Sequence, residues 1–212
     1  DLERLLDHLQ IRSDATLVAH DWGGAIGFGV AGRSPDRFSS LVAMNTAAFA
    51  LPEGVNFPWI IRPARGPLGE LLVRGLDAFV LGTLAMGTTR RKLSRAERAG
   101  YRAPYSSWKR RLAVHRFVQD IPVQPTDVSW PTLAAVESSL DGLRDHPLLI
   151  LWGARDPVFG VEFLDEWLRR FPSAEHHCWA DCGHLLLDDA PERVIPAIRS
   201  FRESVARQQV RS

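Results

Sequence analysis

Lysine, cysteine and tyrosine are nearly missing from this chain of 212 residues: two each, at 92 and 109, 178 and 182, and 101 and 105. Two cysteines exclude a disulfide framework and fit a reducing compartment, so a cytoplasmic protein is expected. With lysine so rare the positive charge is almost all arginine, which reads as a coding bias. An excess of either sign is missing too. The 26 basic residues are balanced by 25 acidic ones for a net charge of +1, and nothing global draws the chain to nucleic acid or to a membrane. No apolar run approaches the roughly 20 residues of a membrane span, and the first residues do not read as a signal peptide. Repeats and low-complexity tracts are absent. What remains is a 45% hydrophobic composition, ordinary for a globular protein long enough to bury a full core.

Strands and helices alternate at both ends. Leu2, Leu5, Leu6 and Leu9 lie at helical spacing, predicting a helix over 1–11, followed by a short buried strand at 16–20. A helix is expected from Gly23 to about Arg33, stopped by Ser34-Pro35, and a second strand over 39–45. Regularity returns with a strand at 147–152, an amphipathic helix at 161–171 and a strand at 175–179. A closing helix follows Asp189, which suits an N-cap with Pro191 in the first turn and Glu192 completing a capping box. This alternation predicts an α/β fold with a mostly parallel sheet. Three stretches divide it: 1–46 as one part of the core, 47–145 as an inserted helical cap rich in Pro, Gly, Arg and Trp, and 146–212 as the rest of the core. Helices are expected in the cap near 68–84 and 106–119. The cap would lie over the carboxyl ends of the strands, where open α/β sheets bind ligands.

The most informative string is Leu17-Val18-Ala19-His20-Asp21-Trp22-Gly23-Gly24, an apolar strand turning sharply into a helix start. Ala19 and Gly23 flank Asp21 with small residues, and the corner is expected to need both because a larger side chain would obstruct it. Such a corner lifts its central side chain above the sheet. A carboxylate there is anionic at neutral pH and needs no base to act as a nucleophile. Asp156 follows the strand at 147–152, in Gly153-Ala154-Arg155-Asp156-Pro157, and His184 follows the strand at 175–179. Singly, Asp21 reads as a helix cap, Asp156 as a turn residue and His184 as a solvated loop histidine. Together, in the order nucleophile, acid, histidine and each just past a strand, they predict a catalytic set. Trp22 is expected to add its backbone N–H and its indole N–H as donors to a developing anion, the bland alternative being packing.

Other clusters carry less. His176, His177, Cys178, Cys182 and His184 are all competent zinc ligands, but neighbours in a strand point to opposite faces, so no metal site is expected, and no cofactor. Between Arg90 and Arg116 stand ten Arg or Lys residues with Glu97 the acid among them. They read first as a solvated surface and second as a face for a protein partner, an anionic substrate or a membrane surface. Tyr101 and Tyr105 both fall in the cap; Pro104 between them argues against one shared helix face and for packing.

The elbow and the Asp156–His184 pair resemble the Asp-nucleophile branch of the α/β-hydrolases, which holds haloalkane dehalogenases and epoxide hydrolases. Within it, the strings Ala103-Pro104-Tyr105-Ser106-Ser107-Trp108-Lys109, Phe117-Val118-Gln119-Asp120-Ile121-Pro122, Trp152-Gly153-Ala154-Arg155-Asp156 and Gly183-His184-Leu185-Leu186-Leu187-Asp188-Asp189-Ala190 resemble the β-lactone decarboxylases of bacterial long-chain olefin biosynthesis. The resemblance implies a small hydrophobic substrate, attack by Asp21 on a strained four-membered lactone, and an acyl-type adduct that fragments to alkene and carbon dioxide. It implies that Asp156 orients His184, that Trp22 holds negative charge, and that other enzymes of olefin synthesis are partners through the basic cap. As a haloalkane dehalogenase, the same residues would displace halide and hydrolyse the resulting ester with His184 activating water. The next alternative is an epoxide hydrolase, which needs a cap tyrosine pair such as Tyr101 and Tyr105 to protonate the ring oxygen. Asn45, at the end of the second strand, is not a carboxylate, which favours Asp156 as the acid. Complete members of the family carry several strands before the elbow, and those are expected to be missing here. An inactive fragment or a binding module that keeps the elbow as scaffold is the reading outside catalysis.

Overall fold

The computed structural model describes residues 1–209. Four strands, β1 (Ala15–Asp21), β2 (Phe38–Thr46), β3 (Leu148–Gly153) and β4 (Glu175–Trp179), form one parallel sheet in the order β1-β2-β3-β4. Parallel neighbours need crossovers, and helices supply them. Their side chains alternate between two layers. Leu41, Ala43, Ile150 and Trp152 face a core shared with α2 (Gly29–Arg33) and α8 (Val161–Arg170), whereas Val42, Met44, Leu149 and Leu151 face α10 (Pro191–Gln209). Both central strands are therefore buried on both faces, which explains their nearly unbroken apolar sequence.

The first helix, α1, is shorter than its pattern, spanning Leu2–His8 and ending before Gln10 at φ 59°. After β1 the chain takes a π-helical turn, Gly24–Phe28, before settling into α2. The long segment between β2 and β3 carries α3 (Arg62–Arg65), a second π-helical turn (Leu71–Gly75), α4 (Ala78–Met86), α5 (Arg95–Arg102), α6 (Leu112–Gln119) and α7 (Trp130–Ser139). The predicted stretch 68–84 is thus two elements, broken at Asp77, which has φ 57°. The stretch expected from 106 is helical only from Leu112. Helix α5 escapes the apolar pattern because it buries no residue; it is started by a capping box in which Ser94 and Glu97 bond each other's backbone N–H. The tail of the insertion joins the sheet's own core through Val136, Leu140 and Leu143.

Asp189 does not cap α10. It ends a short helix, α9 (Leu186–Asp189), and its buried carboxylate turns away to the cap segment. There it accepts from the backbone N–H of Thr89 (2.9 Å) and Arg90 (2.8 Å), while also accepting from that of Gly183 (2.7 Å). With a longer contact from the Arg91 N–H (3.4 Å), four backbone donors converge on this one acid, three from the cap turn about 100 positions away and one from its own loop.

Candidate active site

Asp21 closes β1 with φ 52°, a left-handed backbone that sets its side chain off the strand, and the helical turn after it has no side-chain cap bond. The Thr46 hydroxyl, from the end of β2, donates to the Asp21 carbonyl, and Thr46's own carbonyl accepts from the Trp167 indole at 2.8 Å. The glycine that this corner needs is Gly24. A Cβ there would run into Thr46 Oγ1 and come within 2.6 Å of the Ala47 carbonyl, whereas one on Gly23 would meet only Ala19 Cβ at an ordinary 3.8 Å. The expected requirement at Gly23 is therefore corrected to its neighbour: the tight approach is to β2, not back along β1.

Asp156 and His184 meet. His184 Nδ1 lies 2.7 Å from Asp156 Oδ2 in a buried pair, and Asp156 Oδ1 accepts from the Val158 N–H at 2.7 Å, so the acid also shapes its own turn. Burial works against a charged His184, but the hydrogen bond and charge of Asp156, with Asp21 adding, outweigh it and raise its pKa above the ordinary value. With Nδ1 so engaged, Nε2 is the ring atom left to the cavity. Asp21 and His184 line one cavity of about 860 Å³ together with Trp22, Phe79, Phe117 and Phe159. Trp22 stands edge-on to Phe117 of α6, with ring centroids 5.2 Å apart, so its ring both packs against the cap and faces the cavity.

Sequence reasoning missed three supporting residues. Asn45, with φ 35°, donates Nδ2–H to Asp156 Oδ2 (3.0 Å) and the Gly153 carbonyl (3.0 Å) and accepts from the Gly153 N–H (2.8 Å). Its place at a strand end was legible; its partner 111 positions away was not. His20 donates Nε2–H to the His184 carbonyl at 2.8 Å, and burial followed by the neighbouring His184 lowers its pKa. Asp189 fixes the other side of the same loop through Gly183, and Leu185 donates to the Gly87 carbonyl at 2.6 Å. A Cβ on Gly183 would press within 2.8 Å of that Gly87 carbonyl, so the histidine loop and the cap turn lie in direct contact.

Much of the basic cap is spent inside the molecule. Arg90 pairs with Asp181 and Glu192, Arg91 with Glu97, and Arg102 with Asp77. The Tyr101 hydroxyl donates to Asp188 at 2.6 Å, and Tyr105 sits on a separate turn of 3-10 helix. Among the described residues no group of three or more His, Cys, Asp or Glu is placed to hold a metal, and no helix is long and apolar enough to cross a membrane.

An elbow acid ending β1 and a His–Asp pair on the loops after β3 and β4 agree with a family model for the alpha/beta hydrolase fold, which matches residues 1–191. The chain belongs to the α/β-hydrolase fold family. Among curated α/β-hydrolase relatives, it is 44% identical over 204 residues to the cis-3-alkyl-4-alkyloxetan-2-one decarboxylase of Shewanella oneidensis, covering 95% of this chain and 64% of that protein. The decarboxylase of the same name from Xanthomonas campestris is 43% identical, with 96% of this chain and 68% of that one covered. Of solved structures, a haloalkane dehalogenase from Bradyrhizobium elkani superimposes with a TM-score of 0.85 at 27% identity, covering 98% of this chain and 72% of that chain. The chain thus spans about two thirds of the length of the decarboxylases it matches.

Proposed function

We propose that this α/β-hydrolase is a β-lactone decarboxylase whose Asp21 opens a four-membered lactone that leaves as an alkene and carbon dioxide. The observation that carries the reading is the identity of 44% and 43% to two decarboxylases along almost the whole chain, against 27% to the dehalogenase structure. An Asp at the elbow, beside a His–Asp pair and a large apolar cavity, is chemically suited to that role.

Attack on the lactone's acyl carbon would yield an anhydride and an alkoxide, leaving the ring oxygen on its sp3 carbon, and no alkene forms until that bond breaks; the acyl-type adduct is therefore replaced by attack at the sp3 ring carbon that bears oxygen. Asp21 forms an ester bond to that carbon as its bond to the ring oxygen breaks, releasing a carboxylate on the adjacent carbon. The carbon–carboxylate bond then breaks: its electron pair becomes the new double bond, carbon dioxide departs, and the ester's carbon–oxygen pair returns to Asp21. One lactone gives one alkene and one carbon dioxide, with no water, proton or redox partner consumed. His184, held by Asp156 and inclined to keep its proton, offers Nε2–H to the released carboxylate, and the Trp22 N–H groups supply further donors. The reading requires that the apolar wall keep water from the ester, which would otherwise be hydrolysed.

The second reading, haloalkane dehalogenase, rests on the structural match and uses the same ester with His184 activating water. Supplying a cis-3,4-dialkyl β-lactone and, separately, a 1-haloalkane separates the two. Alkene from the lactone is expected, lost in Asp21→Ala; halide release with no alkene would overturn the assignment.

A further inference from the structure

A second cavity of about 340 Å³ also reaches Asp21 and His184, on the side toward α9. Both cavities fall in the range of roughly 300–1,000 Å³ typical of small-molecule sites. Helix α4 divides them, and its sequence sorts by helical spacing. Ala78, Gly82 and Met86, each four apart, line the larger cavity alone; Val80 and Leu84 line the smaller alone; Phe79 and Thr83 touch both. Leu186 and Leu187 of α9 also line the smaller cavity. One reaction centre therefore opens into two apolar chambers on either side of one helix.

We infer that the smaller cavity is a second alkyl-chain site, so that the two chains of one dialkyl lactone part at Asp21 and run to opposite sides of α4. This rests on the decarboxylase reading, because a 1-haloalkane brings one chain and would need one chamber. A cis-3,4-dialkyl lactone carries chains on neighbouring ring carbons. With the ring held at Asp21 they diverge from adjacent atoms, and two chambers meeting at that residue accommodate both without folding one back on the other. Tyr101 and Asp188, joined by a hydrogen bond, put a polar pair into the lining of the smaller cavity alone.

The test uses two regioisomeric lactones, one with an octyl chain at carbon 3 and methyl at carbon 4, the other reversed. Their dissociation constants are measured by calorimetry with Asp21→Asn, alone and combined with Val80→Phe, Leu187→Trp or Gly82→Leu. Val80→Phe fills the smaller cavity from its wall and Leu187→Trp narrows it from the half-exposed rim, guarding against a packing fault at position 80. Gly82→Leu fills the larger, where an added Cβ meets only Met86 Cε at 3.7 Å. Val80→Phe and Leu187→Trp should shift the ratio of the two constants one way and Gly82→Leu the other, each by at least about tenfold, the effect of two methylenes left unburied. Ratios that stay within twofold, or all three moving together, would overturn the partition. Failure of the decarboxylase reading shows separately, as absence of alkene when the protein with Asp21 intact is given either lactone.

Discussion

Asn45 and His184 bond to the same oxygen of Asp156: the amide at 3.0 Å and the imidazole at 2.7 Å both reach Oδ2. The end of β2 thus fixes the acid that fixes the histidine, and the elbow acid is held from the same place through Thr46. Two consecutive residues, Asn45 and Thr46, set the relative placement of all three groups proposed to do chemistry.

Replacing Asn45 with Ala should therefore cost more than an ordinary surface change. It leaves the buried Gly153 N–H without its acceptor, removes one of two donors to the Gly153 carbonyl and frees one position on Asp156, a loss of about 2–4 kcal/mol in urea unfolding. Alkene formation should fall with it, while Asn45→Asp, which keeps an acceptor for the Gly153 N–H, should fold better than Asn45→Ala yet set two carboxylates side by side.

The two histidines should titrate in opposite directions from about 6.5, the ordinary value. His184 is raised and His20 lowered. Sign follows from linkage: the stability that His184 contributes is fully present below about 6.5 and lost as pH rises through its folded pKa, whereas that of His20 is present above about 6.5 and lost as pH falls. Asp156→Asn removes the charge that raises His184 and should bring its NMR titration to lower pH. An unchanged His184 titration would show that the pairing does not govern its proton.

Asp189→Ala should loosen the histidine loop and the cap turn together, because one carboxylate serves Thr89, Arg90 and Gly183. Faster amide exchange at 87–91 and 182–185, with α8 unaffected, is the expected pattern. Burial opposes the Asp189 charge, but backbone donors outweigh it and hold its pKa below the usual carboxylate value, so its contribution is present at neutral pH and lost only under acid.

At the elbow, Gly24→Ala should abolish folding or activity and Gly23→Ala should leave the thermal midpoint within a few degrees. The reverse order would mean that the corner is limited by β1 itself, as the sequence pattern suggested.

Local order was the legible part. The strands, the Asp21 turn and the loop positions of Asp156 and His184 all follow from patterns within ten residues, and each lies where that pattern put it. What escaped depends on segments far apart in the chain. Asn45 shows nothing of Asp156 until β2 and β3 pair, and Asp189 looked like a local helix cap because its true donors, Thr89 and Arg90, come from the insertion. Gly23 and Gly24 differ only in which one faces β2. Helix α5 is different: its Ser94–Glu97 box was readable, but the absence of buried residues hid it from apolar periodicity. The division of α4 between two cavities likewise needs the cap seated on the sheet.

The most direct test of the proposed chemistry is the mass of the peptide carrying Asp21 after many turnovers of a cis-dialkyl β-lactone in ¹⁸O-labelled water. Decarboxylation returns the same two oxygens to Asp21, so alkene should accumulate while the peptide stays unlabelled. Label entering Asp21 with each turnover, alongside a hydroxy acid in place of alkene, would show that water cleaves the ester and would contradict the account.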